Sequence, residues 1–473
     1  MVDGQHTEPT SVSETVNAAE TVPIEIVDAR PPEFSDDALA QKFAERHGEN
    51  FHYIADWGHW FEWDDVRWAR EPTYRAFDRA RAICRVAASE AKASGKTSTA
   101  VKLASAKTVA AVERMAKTDR RIAATVDQWD TDLDVFNGEM TIDLSTGEHY
   151  VPRREDYCTK LSPVAAEGDC PLWRTFLARV TDGDEELQAY LARVCGYWLT
   201  GHTHEHALFF LYGTGANGKS VFVETIQGIM GDYATTTPVE NFMATHGDRH
   251  PTELAALRGA RLVVAPETEA GRHWNESRIK QITGGDTIAA RFVRQDFFTF
   301  KPTFKICIVG NHKPSLRTID EAIRRRIHLI PYNITIPASE RDPKLAEKLK
   351  AEWPGILAWA VQGCLDWRKD GLNPPQAVIE ATDDYLSGED SFAAWLEECT
   401  EPASDWHFES SADLFASWKA WAERAGEGPG TRKRFAGTLQ DRGYAPKRTE
   451  NARGFEGIRL KRPDYSEDGR YGG

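Results

Sequence analysis

Lys219 and Ser220 close the run ALFFLYGTGANGKS at 207–220, directly after Gly213, Thr214, Gly215, Ala216, Asn217 and Gly218. This spacing suits phosphate. Glycines let the backbone curl until its N–H groups surround an anion, a following helix N-terminus reinforces them, a lysine reaches terminal phosphates and a serine hydroxyl reaches magnesium. The preceding Ala207 to Tyr212 is apolar and aromatic, so the sequence predicts a buried strand, a phosphate loop and a helix in that order. A bound nucleoside triphosphate with Mg2+ is the expected ligand.

Other residues could complete such chemistry. Arg261 to Ala265 reads as a second buried strand, and Glu267 and Glu269 follow it where a carboxylate could hold magnesium and polarise water. Glu267 comes first after the strand, with Glu269 as alternative or partner. FKICIVG reads as a third strand, and Asn311 just beyond it could orient water by its amide. Arg324, Arg325 and Arg326 then supply permanent forked charge suited to a transferring phosphate, or a solvated surface. Between 277 and 305 a helix with Lys280 turns at Gly284-Gly285 into a hairpin whose polar tip is Arg294, Gln295 and Asp296. With Arg291, Lys301 and Lys305 nearby, the hairpin reads as a basic projection.

The elements that must position these groups follow from the rest of the chain. At 473 residues and 53.0 kDa it is long enough for two to four domains. The net charge of -15 argues against a protein coated in nucleic acid, yet leaves room for a local basic pore or tail. Such a tail exists: residues 429–462 hold ten Lys or Arg against three Asp or Glu, net +7, including Arg432, Lys433 and Arg434. Seven cysteines occur without a CxxC pair, which suggests neither a zinc module nor a disulfide framework and fits a reducing cytoplasm. Neither a signal peptide nor a membrane span is expected.

Residues 1–34 read as a flexible leader. Ser35 is positioned to cap a helix that ends at Gly48. Trp57, Trp60, Trp63 and Trp68 could stack bases or fill a small core, and core packing is the expectation. VKLASAKTVAAVERMAKTD reads as one surface helix, and 135–160 as a hairpin-rich subdomain. A helical pair then leads to the phosphate-loop strand, which places a boundary near 200; another amphipathic helix over 345–368 is kinked or divided at Pro354-Gly355, and Asn373 to Pro375 marks a linker. Three helices and a hairpin in the last region suggest a winged-helix unit.

Taken together, these residues resemble the superfamily 3 helicases, particularly the helicase part of phage and plasmid primase-helicase proteins and their poxvirus relatives. GTGANGKS follows the family's GxGxNGKS loop, KQITGGD at 280–286 is similar to the segment leading into its DNA-contacting hairpin, and WFEWDDVRW, FNGEMTIDLSTGE and GYWLTG resemble the domain preceding the helicase. The resemblance implies an α/β P-loop NTPase core of AAA+-like, superfamily 3 type at 201–370, an N-terminal α+β helicase-associated domain at 35–200 and a winged-helix-like domain at 376–473. It also implies that Asn311 is the sensor and that Arg325 or Arg326 is a finger offered to a neighbouring subunit. Glu267-Thr-Glu269 departs from the adjacent acids of many relatives, so the water-activating residue stays open between them. The expected function is ATP-dependent DNA unwinding in phage, prophage or plasmid replication within a bacterial cytoplasm. A homo-hexamer would draw single-stranded or forked DNA past Lys280, Arg291, Arg294 and Lys301. The short N-terminal region, without paired acids or a zinc module, implies no priming activity of its own and a separate primase or origin protein as partner. The alternative is a DNA-stimulated ring ATPase for loading, packaging or remodelling without strand separation.

Overall fold

A computed structural model describes residues 30–244, 252–266, 273–292, 296–316, 319–388, 391–404, 406–426, 428–449 and 452–461. Glu267, Glu269 and Arg294, and the 1–29 part of the expected leader, lie outside them. The described chain forms two compact units, 30–62 with 71–124 and 63–70 with 125–461.

In the smaller unit the helix Asp36–His47 starts where Ser35 Oγ accepts the Ala38 N–H at 3.1 Å, and it stops at Gly48. Phe51–Ile54 pairs antiparallel with His59–Trp63 and parallel with Ala123–Ala124. Leu39, Phe43, Phe51, Trp60, Cys84 and Val112 share one core. Trp60 packs 5.8 Å from the Phe43 ring and donates its indole N–H to Glu113 at 2.7 Å, so it serves packing. The lysine-bearing stretch expected as a single helix is two, Thr97–Leu103 and Ala106–Ala116. Ser105 divides them because its Oγ accepts the Thr108 N–H at 3.3 Å and starts a new helix.

The larger unit is built on a parallel sheet. Its strands are β1 (Leu208–Tyr212), β2 (Ala234–Thr236), β3 (Leu262–Pro266), β6 (Lys305–Gly310) and β7 (Ile327–Pro331), arranged β7-β1-β6-β3-β2. Between β3 and β6 in sequence, β4 (Ile288–Ala290) and β5 (Phe298–Phe300) make a separate antiparallel hairpin. The near-continuous apolar runs of β1, β3 and β6 reflect burial on both faces. Along β1, Phe209 and Leu211 enter one core while Leu208 and Phe210 enter the other, as the two-residue strand period requires.

The first face is covered by α2 (Glu185–Leu199), α3 (Lys219–Met230) and α6 (Trp353–Asp370), with α1 (Pro171–Val180) alongside. A Cβ on Gly196 would lie 2.1 Å from the Cys364 nitrogen, and one on Gly363 2.1 Å from the Ala192 carbonyl, so glycines permit the α2–α6 approach. The second face carries α4 (Glu276–Thr283), the β4–β5 hairpin and α7 (Gln376–Gly388); α5 (Glu321–Arg324) is the short turn before β7.

One expected basic surface residue is instead interior. Lys305 opens β6, is 2% exposed, donates to the Thr200 carbonyl and lies 4.9 Å from the Tyr197 ring centroid. Burial first, then the neighbouring Arg261 charge, pushes its pKa well below the usual lysine value. Arg261 is itself buried and donates to the carbonyls of Leu199, Val135 and Asp132 at 2.6, 2.7 and 3.1 Å. Lys305 does not join the basic projection because the sheet's amino edge, rather than solvent, surrounds its side chain.

Residues 391–461 contain the helices Ser391–Cys399, Ser411–Arg424 and Arg432–Asp441. Phe408–Ser410 and Pro446–Arg448 flank Arg453–Glu456 in an antiparallel sheet, and Thr400–Pro402 pairs with Ile458–Leu460. Trp395, Leu414, Trp418, Phe435, Leu439 and Phe455 form their shared core.

Candidate functional site

Between β1 and α3 the backbone turns through the left-handed region at Gly215, Ala216 and Gly218, with φ of 104°, 51° and 87°. Gly213 has no room for a side chain: a Cβ there would lie 2.2 Å from Asn217 Nδ2 and 2.3 Å from the Tyr332 carbonyl. The resulting loop ends in a 12-residue helix beginning at Lys219, whose first N–H groups point back along the loop.

Lys219 is 5% exposed, and its ammonium donates to the Gly213 carbonyl at 2.7 Å, Asn217 Oδ1 at 3.0 Å and Asn311 Oδ1 at 3.1 Å. Asn217 is anchored in turn by its Nδ2, which donates to the Tyr332 carbonyl at 3.0 Å. Asn311 arrives from the end of β6, and Tyr332 follows β7. Three adjacent strands therefore converge on one ammonium. A cleft of about 490 Å³ opens beside it, lined by the loop together with Ser220, Pro266, Val309 and Asn311. Ser220 is exposed. Its hydroxyl is a hard oxygen donor of the kind magnesium takes, and β3 ends at Pro266, immediately before Glu267. Among the described residues no cluster of His, Cys, Asp or Glu could hold a metal by itself.

The three consecutive arginines have different environments. Arg324 pairs with Asp383 at 3.2 Å. Arg326 is 7% exposed, with Nε donating to Thr283 Oγ1 at 3.0 Å and Nη1 to the Ala322 carbonyl at 2.6 Å. Arg325 is exposed, and no ion pair reaches it among the described residues. A short turn produces this sorting. Asp320 caps α5 by accepting the Ile323 N–H at 2.9 Å, and Lys280 is ion-paired to the same carboxylate. Burial opposes ionisation of Asp320, but the Lys280 ammonium and the Ile323 N–H outweigh it and hold the carboxyl below its usual range. Lys280, read from sequence as a DNA contact, has this carboxylate as a partner inside the chain.

On the β4–β5 hairpin, Ala290 opposes Phe298 and Ile288 opposes Phe300. Ile288, Ala290 and Phe300 are buried, while Phe292 and Phe297 are 39% and 63% exposed. Arg291 lies 5.0 Å from the Phe297 ring centroid, and Lys301 is exposed. The exposed aromatics were missed in sequence; the paired Phe297-Phe298 in an alternating strand was the available signal, since only one of the two can face the core.

A parallel sheet with this loop at the carboxyl ends of its strands is an NTPase-like α/β fold. Residues 40–182 match the family described as D5 N terminal like, and residues 211–326 match a family of unknown function, DUF5906. "Putative helicase L207/L206" of Acanthamoeba polyphaga mimivirus is 27% identical over 261 residues, covering 50% of this chain and 27% of that protein. "Putative helicase 022R" of Frog virus 3 is 25% identical over 261 residues, covering 50% and 26%. A solved apo structure of the NrS-1 C terminal region is 11% identical, with a TM-score of 0.46 over 87% of this chain and 88% of that one. Over these two stretches the chain is similar to the D5 N terminal like family and to DUF5906, and about half of it is similar to viral proteins described as helicases. It spans about a quarter of the length of the curated relatives it matches. No described helix is long and apolar enough to cross a membrane.

Proposed function

We propose that this chain is the motor subunit of an ATP-dependent DNA helicase of the AAA+-like superfamily 3 type, working as a ring in phage, prophage or plasmid replication. The observation that carries the reading is the buried Lys219 ammonium, held by exchangeable acceptors from the loop and from β6 at the open edge of the sheet. Incoming phosphate oxygens can replace the amide oxygens of Asn217 and Asn311, which frees the Asn311 side chain to orient water. Ser220 and a carboxylate at 267 or 269 would hold magnesium, which when bound neutralises charge on the phosphate oxygens.

Arg325 is the finger in this reading. Arg324 and Arg326 are fastened within their own chain, whereas the Arg325 guanidinium is presented outward, as donation to a neighbour's ATP requires. Arg326 is a positioning residue that ties this segment to the end of α4, from which the hairpin departs. Hairpin residues Arg291, Arg294 and Lys301 then contact the single strand in the channel, and the helices and strands of 391–461 support a winged-helix-like accessory domain, with Arg432, Lys433 and Arg434 as further nucleic-acid contacts.

The test measures ATP turnover against protein concentration and in mixed rings. Arg325→Ala should lower turnover about 1,000-fold or more, as loss of an arginine finger does, and mixing it with Lys219→Ala should restore activity at interfaces that combine an intact loop with an intact finger. Arg326→Ala should instead destabilise the fold by about 2–4 kcal/mol, because it removes a buried, hydrogen-bonded charge. Full turnover by a folded Arg325→Ala ring would refute the assignment. Strand displacement on forked duplexes separates unwinding from a ring ATPase that loads, packages or remodels DNA using the same ATP residues.

A further inference from the structure

Several cations of the basic stretch at 429–462 have partners inside the chain, whereas one tip carries two with no carboxylate partner among the described residues. Lys447 is paired with Glu456, Arg459 with Glu401, and the Lys461 ammonium donates to the Glu397 carbonyl at 2.6 Å. Arg432 lies 5.6 Å from the Phe415 ring centroid. Arg448 and Arg453 differ: they are direct cross-strand partners at the end of the hairpin formed by Pro446–Arg448 and Arg453–Glu456. Both are exposed, and no carboxylate pairs with either among the described residues. Glu450 lies outside those residues. Like charges directly opposite on a two-stranded ladder repel each other, and folding alone gains nothing from holding them there. An anionic ligand between or along the two guanidinium groups would reverse the sign of that interaction.

The surroundings fit a nucleic-acid backbone. The helix Arg432–Asp441 directly precedes the hairpin and presents Lys433 as a further exposed cation. Phe435 and Leu439 from the helix and Phe455 from the hairpin share one core, so helix and tip are held as a single surface. Single-strand binding generally uses aromatic stacking platforms. Here Trp395, Trp418, Phe435 and Phe455 are interior, and Trp406 alone among the large aromatic side chains described in this region is widely exposed, at 83%. A rigid helix with a flanking cationic hairpin instead matches the regularly spaced phosphates of a duplex.

We propose that the Arg448–Arg453 tip, together with Lys433, grips the phosphate backbone of double-stranded DNA, at a site separate from the β4–β5 hairpin that contacts the single strand. This rests on the helicase reading for its role, but its binding can be measured without ATP. The experiment follows fluorescence anisotropy of the full chain with a short blunt duplex and with oligothymidine of equal length across a salt series, alongside oligothymidine-stimulated ATP turnover. Arg448→Ala combined with Arg453→Ala should weaken duplex binding about tenfold and make its log–log salt slope shallower by about 2, for two lost phosphate contacts. Oligothymidine affinity and stimulated turnover should be unchanged, and the double lysine variant should recover the salt slope. A thermal midpoint no lower than that of the intact chain, expected when two exposed like charges are removed, ties any loss to binding. The proposal is overturned if the intact chain does not bind the duplex, if duplex affinity and slope survive the double substitution, or if oligothymidine binding falls equally. Absence of ATP turnover in the intact chain would instead overturn the helicase reading, and the duplex result would stand.

Discussion

Two lysines are buried at opposite edges of the same parallel sheet. Lys219 is 5% exposed and Lys305 is 2% exposed, yet their surroundings point to different roles. Lys219 sits at the carboxyl edge beside an open cleft, and its acceptors among the described residues include two side-chain amides that can rotate away. Lys305 sits at the amino edge, with its ammonium on the Thr200 carbonyl, the Tyr197 ring beside it and the like charge of Arg261 nearby. Burial of a lysine is therefore no sign of function on its own. The informative feature is whether its partners can be exchanged for a ligand's.

The strongest contrast is expected in activity. Lys219→Ala should lower ATP turnover about 100-fold or more, the scale on which loss of one preorganised donor acts, while the thermal midpoint stays close to that of the intact protein. A large drop in midpoint would place Lys219 with Lys305 as a packing residue. Lys305→Ala should do the reverse. Removing its long side chain leaves a cavity and an unsatisfied Thr200 carbonyl, at a cost of about 2–4 kcal/mol in denaturant unfolding, and the fraction that remains folded should bind nucleotide normally.

A smaller effect concerns pH. The folded pKa of Lys305 is lowered, so between that value and the unfolded value of about 10.4 the unfolded chain holds more protons than the folded one. Stability should therefore rise with pH across that window. Lys305→Met, which keeps most of the side-chain volume, removes this term, so the intact protein should gain stability on the variant as pH rises toward the unfolded value of about 10.4. Parallel stability curves for the two proteins would refute the assignment of the shift to Lys305.

Local features were legible in the sequence. The cap at Ser35, the strand–loop–helix order at 207–220 and the hairpin after Gly284-Gly285 each depend on neighbours within a few residues, and so does the division of the 345–368 helix, which falls at Ala351-Glu352 with Pro354 in the first turn of the second helix rather than at Pro354-Gly355 itself. The single helix expected over 101–119 shows the limit of that reasoning. Alanine-rich periodicity carries on through Ser105, but one side-chain hydrogen bond to the backbone ends one helix and starts the next.

The sequence alone determined that a glycine-rich loop ending in Lys219 and Ser220 lies between an apolar strand and a helix, because adjacent residues and backbone sterics specify such a loop. It also determined that residues 429–462 are net positive in a chain that is net negative. Only the tertiary structure decided which of three adjacent arginines is presented, which basic residues are interior, and which strand brings Asn311 to Lys219. Those outcomes depend on residues far away in sequence, Thr283 for Arg326, Asp383 for Arg324 and Thr200 for Lys305. A charged side chain is exposed or enclosed according to the sheet edge and helix it meets, and its own sequence neighbours do not encode that meeting.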